Sequence, residues 1–284
     1  MSAVSMTQPK RPKNILSTIL LYLVLIVVAL FTTGPFLWML STALKTSGNV
    51  FTNPPQLLPM PPTLQNFREI WQIVPVARWT MNSVIIAFAG TGLQMLINSM
   101  AGYGLARFRL PGARLILLLL LAMYMLPTTT NFLVNFLTIR RLGLTNNLIA
   151  VFLPSLATIF GIFLMRQAFL SIPQELEDAA RIDGAGEWTI FCRVMLPLVG
   201  PPLATMGIFS FVGLWNEFFW PLIVLTDQNK FPLALGVRYL DNAFVANTRY
   251  VMAGGIITML PILVVFIFAQ RYFMRGATAG AVKG

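Results

Sequence analysis

The side chains of this sequence that are best suited to chemistry are carboxylates, and most of them lie in one place. Five of the nine acidic residues fall between Ile172 and Pro197, in the stretch IPQELEDAARIDGAGEWTIFCRVMLP. Such a cluster could serve acid–base catalysis or bind a partner. The residues that usually accompany carboxylates in catalytic and metal sites are scarce, because the chain has no histidine and a single cysteine, Cys192. We therefore expect no enzyme activity, no metal site and no cofactor bound by this chain.

The composition indicates where such a cluster lies. The chain has 284 residues, of which 57% are hydrophobic and 10% are charged, whereas soluble domains carry about 25% charged residues. A soluble fold of this kind would expose large apolar patches, which promotes aggregation. Apolar stretches such as LLYLVLIVVALF do not alternate as the strands of a membrane β-barrel do. The sequence therefore predicts an all-α fold, a polytopic membrane helical bundle.

Six apolar stretches are long enough to cross a bilayer, which takes roughly 20 residues each. Away from the ends of these stretches, Glu217 is their one charged residue. We expect a cytoplasmic N-terminal tail, 1–14, a C-terminal tail, 275–284, and an acidic loop, 167–197, between the fourth and fifth spans. The predicted spans cover about residues 15–40, 80–106, 114–139, 146–166, 198–226 and 251–274.

The basic residues suggest an orientation. With six spans both termini share one side of the membrane, and that side carries twelve of the 20 Lys and Arg residues. Positive residues favour cytoplasmic loops, so the bias places both termini and the acidic loop in the cytoplasm. The net charge of +11 lies in loops and tails that flank the spans. Lipid headgroups explain that placement better than nucleic acid does.

The acidic loop has the local signals of a short helix. Pro173 suits a first helical turn, where its missing N–H costs nothing. Acidic residues follow at once, and they complement the positive end of the helix dipole. Ala179 and Ala180 are small enough for another surface to approach the backbone, and Gly184 tolerates the left-handed conformation that ends a helix. We expect a short amphipathic helix on the cytoplasmic face and a second one at about 187–195.

The same loop resembles the EAA motif of binding-protein-dependent ABC importer permeases. That motif reads Glu-Ala-Ala, three residues, Gly, nine residues, Ile, one residue, Leu-Pro. Here Asp178 replaces the Glu, Val194 replaces the Ile, and every spacing agrees. The stretches PFLWMLSTALKT, MNSVIIA, AGYGLARFRLPG, WNEFFWPLIVL and QRYFMRGATAGAVKG also resemble the carbohydrate-uptake branch, in particular its maltose-type six-span subunit.

This resemblance implies a transmembrane permease subunit of an ATP-driven, binding-protein-dependent sugar importer in the prokaryotic cell (inner) membrane. The implied partners are a second homologous permease subunit, two cytoplasmic ABC ATPase subunits, an extracytoplasmic solute-binding protein, the sugar and the lipid bilayer, with no nucleic acid. ATP and magnesium are used by the ATPases, and this chain has no G-x-x-x-x-G-K-[ST] phosphate loop of its own. The C-terminal tail is implied to reach towards the ATPase dimer interface. The implied ATPase-coupling residues are Glu175, Glu177, Asp178, Ala179, Ala180, Arg181, Asp183, Gly184, Val194, Leu196 and Pro197.

Substrate contacts are expected among polar and aromatic residues inside the spans, since sugar sites combine aromatic faces with a few polar groups. For each such residue, hydrogen bonding between helices is the alternative. Glu217 is an intramembrane carboxylate and so either binds substrate or an ion, or serves outer-leaflet structure or gating within an aromatic belt. The candidates are Gln94, Asn98, Asn131, Asn135, Trp215, Asn216 and Glu217.

Two other functions stay open at this point. One is an ABC permease for a non-sugar solute such as glycerol phosphate or a polyol. The other is an ion-coupled secondary transporter, which would use buried charges that this chain has only at Glu217. Outside the membrane we expect an irregular, Pro-rich segment at 41–79 with LQNFREIW as an interfacial helix. The second long external loop, 227–250, is implied by the resemblance to contact the binding protein.

Overall fold

A computed structural model describes residues 15–46, 56, 58–243 and 248–281. The predicted N-terminal tail and the last three residues of the chain lie outside these ranges. Within them the chain is helical and contains no strand. The predicted all-α membrane bundle is confirmed.

Fourteen α-helices follow one another along the described residues. They are α1 Ile15–Ala43, α2 Gln65–Ile73, α3 Val76–Arg107, α4 Ala113–Tyr124, α5 Phe132–Arg141, α6 Ile149–Phe152, α7 Ile159–Leu170, α8 Glu175–Ile182, α9 Glu187–Thr189, α10 Leu196–Leu198, α11 Gly200–Asn216, α12 Phe219–Val224, α13 Leu233–Ala243 and α14 Thr248–Ala281. A π-helical segment, Ile190–Met195, joins α9 to α10, and short 3-10 turns occupy Thr128–Asn131, Leu153–Ser155 and Gln228–Lys230.

Three described helices are long and apolar enough to cross a bilayer, namely α1, α3 and α14 over Thr248–Phe268. Two bent pairs also qualify: Ile149–Ser155 with α7, at 53°, and Glu187–Leu198 with α11, at 83°. Up to five spans therefore follow from length and composition among the described residues. The stretch predicted as the third span is divided into α4, a 3-10 turn and α5, and the count of six spans stays a prediction.

Helix α3 is the axis of the bundle. Its 32 residues extend about 48 Å at the rise of an α-helix, and it packs along both α7 and α11. At one end Trp79 is buried in the larger apolar cluster, and at the other end Tyr103 is buried in a smaller one beside α8. A Cβ added at Gly102 would lie 2.8 Å from the backbone nitrogen of Arg166. Only glycine therefore allows α3 and α7 to come this close.

Helix α1 lies at the edge of the bundle. It packs against α14, and its buried residues are confined to its last turn. Large apolar side chains such as Leu16 and Phe31 are 80% and 84% exposed. Because every backbone polar group of a helix is bonded internally, a helix of this kind is stable against lipid.

The end of the bundle where α3 begins contains two helices that are not spans. The predicted interfacial helix is observed as α2, and Asn66 on it donates hydrogen bonds to the carbonyls of Ala43 and Lys45, at 2.7 and 2.9 Å. Helix α13 lies in the stretch predicted as the second external loop. Asn82 on α3 fixes the start of that loop by donating to the carbonyls of Asn229 and Phe231, at 2.9 and 3.0 Å.

The predicted C-terminal tail continues the last helix. The predicted last span ends at residue 274, and the backbone of α14 stays helical beyond it to Ala281. A helix of 34 residues is about 51 Å long and exceeds a hydrocarbon core of about 30 Å. The tail can therefore leave the bilayer while it stays helical.

Candidate functional site: the acidic loop and the span interior

The acidic loop begins with the predicted short helix, α8, and its three first-turn carboxylates. The helix ends as expected at Gly184, whose φ is +81°. The N–H of Gly184 donates to the carbonyl of Arg181 at 3.0 Å, and the N–H of Ala185 donates to that of Ala180 at 2.9 Å. This is the Schellman arrangement, in which a glycine in the left-handed region satisfies the last helical carbonyls. The sequence-based prediction of this helix and its stop is confirmed.

The second helical segment of the loop is also present, but it is wound differently from a simple helix. Helix α9 passes into the π-helical segment and then into α10. Ile190, Phe191 and Met195 from this segment are buried in the smaller apolar cluster with Phe169 of α7. The loop is therefore packed against the spans rather than suspended below them.

One carboxylate of α8 faces inward. The Oε1 atom of Glu177 lies 2.7 Å from Nε of Arg107, the last residue of α3, and the two side chains are 2% and 9% exposed. The guanidinium of Arg107 also donates through Nη2 to the carbonyl of Ile172 at 2.7 Å. Glu177, one of the implied ATPase-coupling residues, therefore turns its side chain towards the spans in this conformation. It sits about 100° around the helix from Asp178, which places it on the buried face.

The outward face of α8 carries a charged cluster centred on Arg181. Its Nη1 lies 3.0 Å from Oδ1 of Asp178, and its Nε donates to Oε1 of Glu187 at 2.9 Å. This hydrogen bond lowers the pKa of the Glu187 carboxyl below its ordinary value. The side chains of Asp178 and Glu187 are 55% and 51% exposed. Arg181 thus connects α8 to α9, and the side chains of both carboxylates stay exposed.

Two apolar residues on this face were missed in the sequence. Ile182 is 87% exposed and Trp188 is 61% exposed, on either side of Gly184. Exposed apolar groups rimmed by charge are typical of protein contact surfaces. A tryptophan in a predicted cytoplasmic loop was the signal that could have found this feature.

The implied coupling residues divide into two sets. Glu175, Asp178, Ala179, Asp183 and Gly184 are exposed along the outward face. Ala180, Val194 and Leu196 are half-buried and pack against the smaller apolar cluster, while Pro197 lies in the first turn of α10.

Two of the candidate substrate residues close a break between helices. Gln94, 4% exposed, donates to the carbonyl of Ser155 at 2.9 Å. Asn98, fully buried, donates to the carbonyl of Leu156 at 3.2 Å and accepts from the N–H of Thr158 at 2.8 Å. These bonds satisfy backbone groups between the 3-10 turn after α6 and the start of α7. In this conformation the side-chain amides of Gln94 and Asn98 are too deeply buried to contact a solute.

Trp215 likewise belongs to the core. It is 1% exposed, donates from Nε1 to the carbonyl of Thr258 at 3.1 Å and stacks on Phe211 with ring centroids 5.8 Å apart. Of the other amide candidates, Asn135 is half-buried, and Asn131 and Asn216 are exposed.

Glu217 lies in the interruption between α11 and α12. Its Oε1 accepts hydrogen bonds from the backbone nitrogens of Phe219, at 2.9 Å, and Trp220, at 3.1 Å. These nitrogens open the first turn of α12, whose amides have no partner within the helix. Of the two roles considered for Glu217, this geometry favours the structural one, in which the carboxylate caps the start of α12.

An open cavity of about 270 Å³ lies beside this break. Phe218, Val237 and Val251 supply apolar walls, and Arg238 supplies a cation. None of these residues was a sequence-based candidate, because the cavity forms only when α12, α13 and α14 meet. Among the described residues, no three His, Cys, Asp or Glu side chains are placed to hold a metal ion.

Apolar helices long enough to cross a bilayer, with the short charged helix α8 exposed at the end where α3 stops, define a helical membrane protein. The chain is a member of the family described as the binding-protein-dependent transport system inner membrane component, which matches residues 62–278.

Relatives agree with this placement. The chain is 40% identical over 245 residues to the arabinooligosaccharides transport system permease protein AraQ of Halalkalibacterium halodurans, covering 86% of each chain. It is 33% identical to the diacetylchitobiose uptake system permease protein NgcG of Streptomyces coelicolor, covering 88% of this chain and 83% of that one. It is 31% identical to the sn-glycerol-3-phosphate transport system permease protein UgpE of Yersinia pestis bv. Antiqua, covering 90% and 94%.

The fold has a counterpart among solved structures. A chain of a bacterial ABC transporter involved in the import of the acidic polysaccharide alginate superposes with a TM-score of 0.78 at 24% identity. The match covers 94% of this chain and 100% of that chain. The bundle described above is therefore the fold of an ABC importer permease.

Proposed function

We propose that this chain is one of two permease subunits of an ATP-driven importer that receives a sugar from an extracytoplasmic solute-binding protein. The observation that carries the proposal is the acidic loop. Its helix α8 presents Asp178, Ile182 and the left-handed Gly184 on an exposed face, at the end of the bundle where α3 stops. A small surface that is part charged and part apolar suits a binding cleft on a partner protein.

In this proposal two cytoplasmic ATPase subunits bind below the permease pair and hydrolyse ATP with magnesium. The chain binds neither, and both of its termini lie in the cytoplasm. The C-terminal end of α14 reaches towards the ATPase dimer, and the outer helices α2 and α13 face the solute-binding protein. Complexes of this kind are supported by a solved alginate ABC transporter with its periplasmic protein, whose chain has the same fold at a TM-score of 0.65.

A saccharide is the proposed solute, since relatives named for arabinooligosaccharides and diacetylchitobiose are 40% and 33% identical to this chain. The relative named for sn-glycerol 3-phosphate, at 31% identity, favours a second candidate, a phosphorylated polyol. The outer cavity fits either class, because Phe218 offers an apolar face and Arg238 a donor for hydroxyl or phosphate oxygens.

The test is reconstitution of the chain with its permease partner, the ATPases and the solute-binding protein in proteoliposomes. The solute-binding protein is added outside the vesicles and ATP is enclosed inside them. We expect uptake of an arabinooligosaccharide or diacetylchitobiose that requires this ATP. Asp178→Lys should abolish uptake while the protein still inserts, and Asp178→Glu, which restores the acid of the motif, should retain it. Uptake of glycerol 3-phosphate alone would change the solute class. Accumulation driven by a sodium or proton gradient without ATPases would overturn the proposal.

A further inference from the structure

The inner side of the acidic loop holds a charged contact that a docking role does not explain. Arg107 is the last residue of α3, and Glu177 lies on the face of α8 turned towards the spans. Their side chains are 9% and 2% exposed, with Nε and Oε1 2.7 Å apart. No solute or partner reaches this pair from the outside in this conformation, so it acts within the chain.

Arg107 holds α8 at two points. Its Nε faces Glu177, and its Nη2 donates to the carbonyl of Ile172, in the turn that precedes α8, at 2.7 Å. The other oxygen of Glu177 lies 3.4 Å from Nη2 of Arg181, which in turn binds Glu187 of α9. A continuous chain of charges therefore runs from α3 through α8 to α9.

Energetics favour a positioning role over a purely stabilising one. Burying an ion pair costs desolvation that its attraction only offsets, so apolar residues of similar volume often serve stability equally well. Charges do impose a fixed geometry on the groups they join. The surroundings of this pair are apolar and aromatic, with Tyr103 of α3 packed on Phe169 and Phe191 at ring-centroid distances of 5.3 and 5.2 Å.

The chain segments that connect α8 to the spans are a less direct link than the contact with Arg107. Turns separate it from α7 on one side and from α9 on the other, and the path to α11 passes through the π-helical segment and an 83° bend. The contact through Arg107 joins α8 directly to α3, a continuous helix of 32 residues. Helix α3 also packs along α7 and α11, so motion of α3 involves both.

We propose that Arg107 and Glu177 are positioning residues of the transport cycle, whose ion pair makes α8 and α3 move as one body. The inference rests on the proposed function and adds to it the route by which motion of α8 enters the spans. Asp178 and Gly184 meet the ATPase, and Glu177 and Arg107 pass the displacement to α3.

Variants of the pair separate positioning from simple packing. In the reconstituted complex, Glu177→Gln and Arg107→Met should each lower the solute imported per ATP hydrolysed by about tenfold, because each removes the ion pair between α8 and α3 and deprives the remaining buried charge of that partner. The reversed pair, Arg107→Glu with Glu177→Arg, should restore that ratio, whereas the apolar pair, Arg107→Met with Glu177→Met, should restore stability without restoring the ratio. Arg109→Met, a change at an exposed arginine two residues further on, is the matched control. An unchanged ratio in the single variants, or full coupling in the apolar pair, overturns the proposal.

A distance measurement tests the unchanged pair even where variants fail to assemble. Spin labels are placed on α8 at Leu176→Cys and on α3 at Met100→Cys, both of which are surface positions, at 45% and 44% exposure. The natural Cys192 is replaced by serine. The distance between the two labels should be the same in the nucleotide-free complex and in the complex trapped with ATP. A change in this distance overturns the proposal, whereas failure of the unlabelled complex to transport any solute with ATP refutes the proposed function instead.

Discussion

The carboxylate of Glu217 lies 3.1 Å from the backbone nitrogen of Trp220 and accepts its hydrogen bond. A second bond, from the N–H of Phe219, reaches the same oxygen at 2.9 Å. The one charge away from the ends of the predicted spans is thereby used to begin α12 after the break in the chain. A helix can be interrupted within a membrane where side chains form hydrogen bonds with the backbone groups that the interruption leaves unpaired.

Replacement of Glu217 distinguishes this cap from a solute or ion site. Glu217→Gln keeps an acceptor oxygen and should leave stability and uptake nearly unchanged, whereas Glu217→Ala should cost about 1 kcal/mol, the usual value of a lost cap. The measurements are thermal unfolding in detergent and uptake in proteoliposomes. A large loss of uptake in the Gln variant with normal stability would instead assign the carboxylate to solute or ion binding.

Asn98 should be needed for stability rather than for solute affinity. Asn98→Ala leaves the carbonyl of Leu156 and the N–H of Thr158 without their partner, a cost of about 1–3 kcal/mol for buried groups. Thermal unfolding should report this loss. Asn216→Ala, a truncation of the same residue type at an exposed site, is the control. The expectation is contradicted if Asn98→Ala unfolds normally but raises the solute concentration needed for half-maximal uptake.

Gly184 and Gly186 provide a matched pair in the acidic loop. A Cβ added at either glycine meets nothing within 4 Å, but Gly184 alone of the two has a positive φ, +81°. Gly184→Ala should therefore cost about 1 kcal/mol through backbone strain, and Gly186→Ala should cost little. Larger side chains at Gly184 should abolish uptake, because they would project from the exposed end of α8. Equal unfolding temperatures for the two Ala variants would refute the strain argument.

The Arg181–Glu187 pair should stabilise the loop in a pH-dependent way. The hydrogen bond from Arg181 lowers the pKa of Glu187 in the folded state. Its contribution is therefore fully present above the ordinary carboxyl pKa of about 4.3 and is lost as pH falls through the lowered value. Because both groups are exposed, the effect should be within about 1 kcal/mol at neutral pH.

The measurement is the difference in unfolding temperature between the natural chain and Glu187→Gln from neutral pH downwards. That difference should be largest near neutrality and shrink towards zero in acid. Glu175→Gln, which changes an exposed carboxylate in the first turn of α8, is the control. A difference that stays constant across the acid range would show that charge pairing with Arg181 is not its source.

Much of the acidic loop could be predicted from the sequence because its signals are local. Pro173, the acidic first turn and Gly184 lie within a dozen residues, and each acts on the backbone beside it. The apolar stretches were equally plain, since the bilayer sets the length and composition of anything that crosses it. These features determine an all-α bundle with a short helix at α8, whatever the rest of the chain does.

The breaks within the spans needed the tertiary structure. The stretch around Leu156 was predicted as one span, and it is divided next to Pro154, which lacks an N–H for a helix hydrogen bond. Asn98, about 60 residues earlier, supplies hydrogen bonds to the interrupted backbone. Trp215 likewise has an aromatic ring of the kind that stacks on sugars. Only its hydrogen bond to the carbonyl of Thr258, in the folded chain, shows that it is a core residue.

The direction of each carboxylate on α8 was also undecided by the sequence. Glu177 and Asp178 are neighbours of similar chemistry, and the acidic pattern assigns both to docking. The end of α3 decides between them, because Arg107 stands 70 positions earlier in the chain and meets only Glu177. Local propensity fixes where a helix forms, but the side that it buries depends on contacts between residues far apart in sequence, and these exist only once the chain has folded.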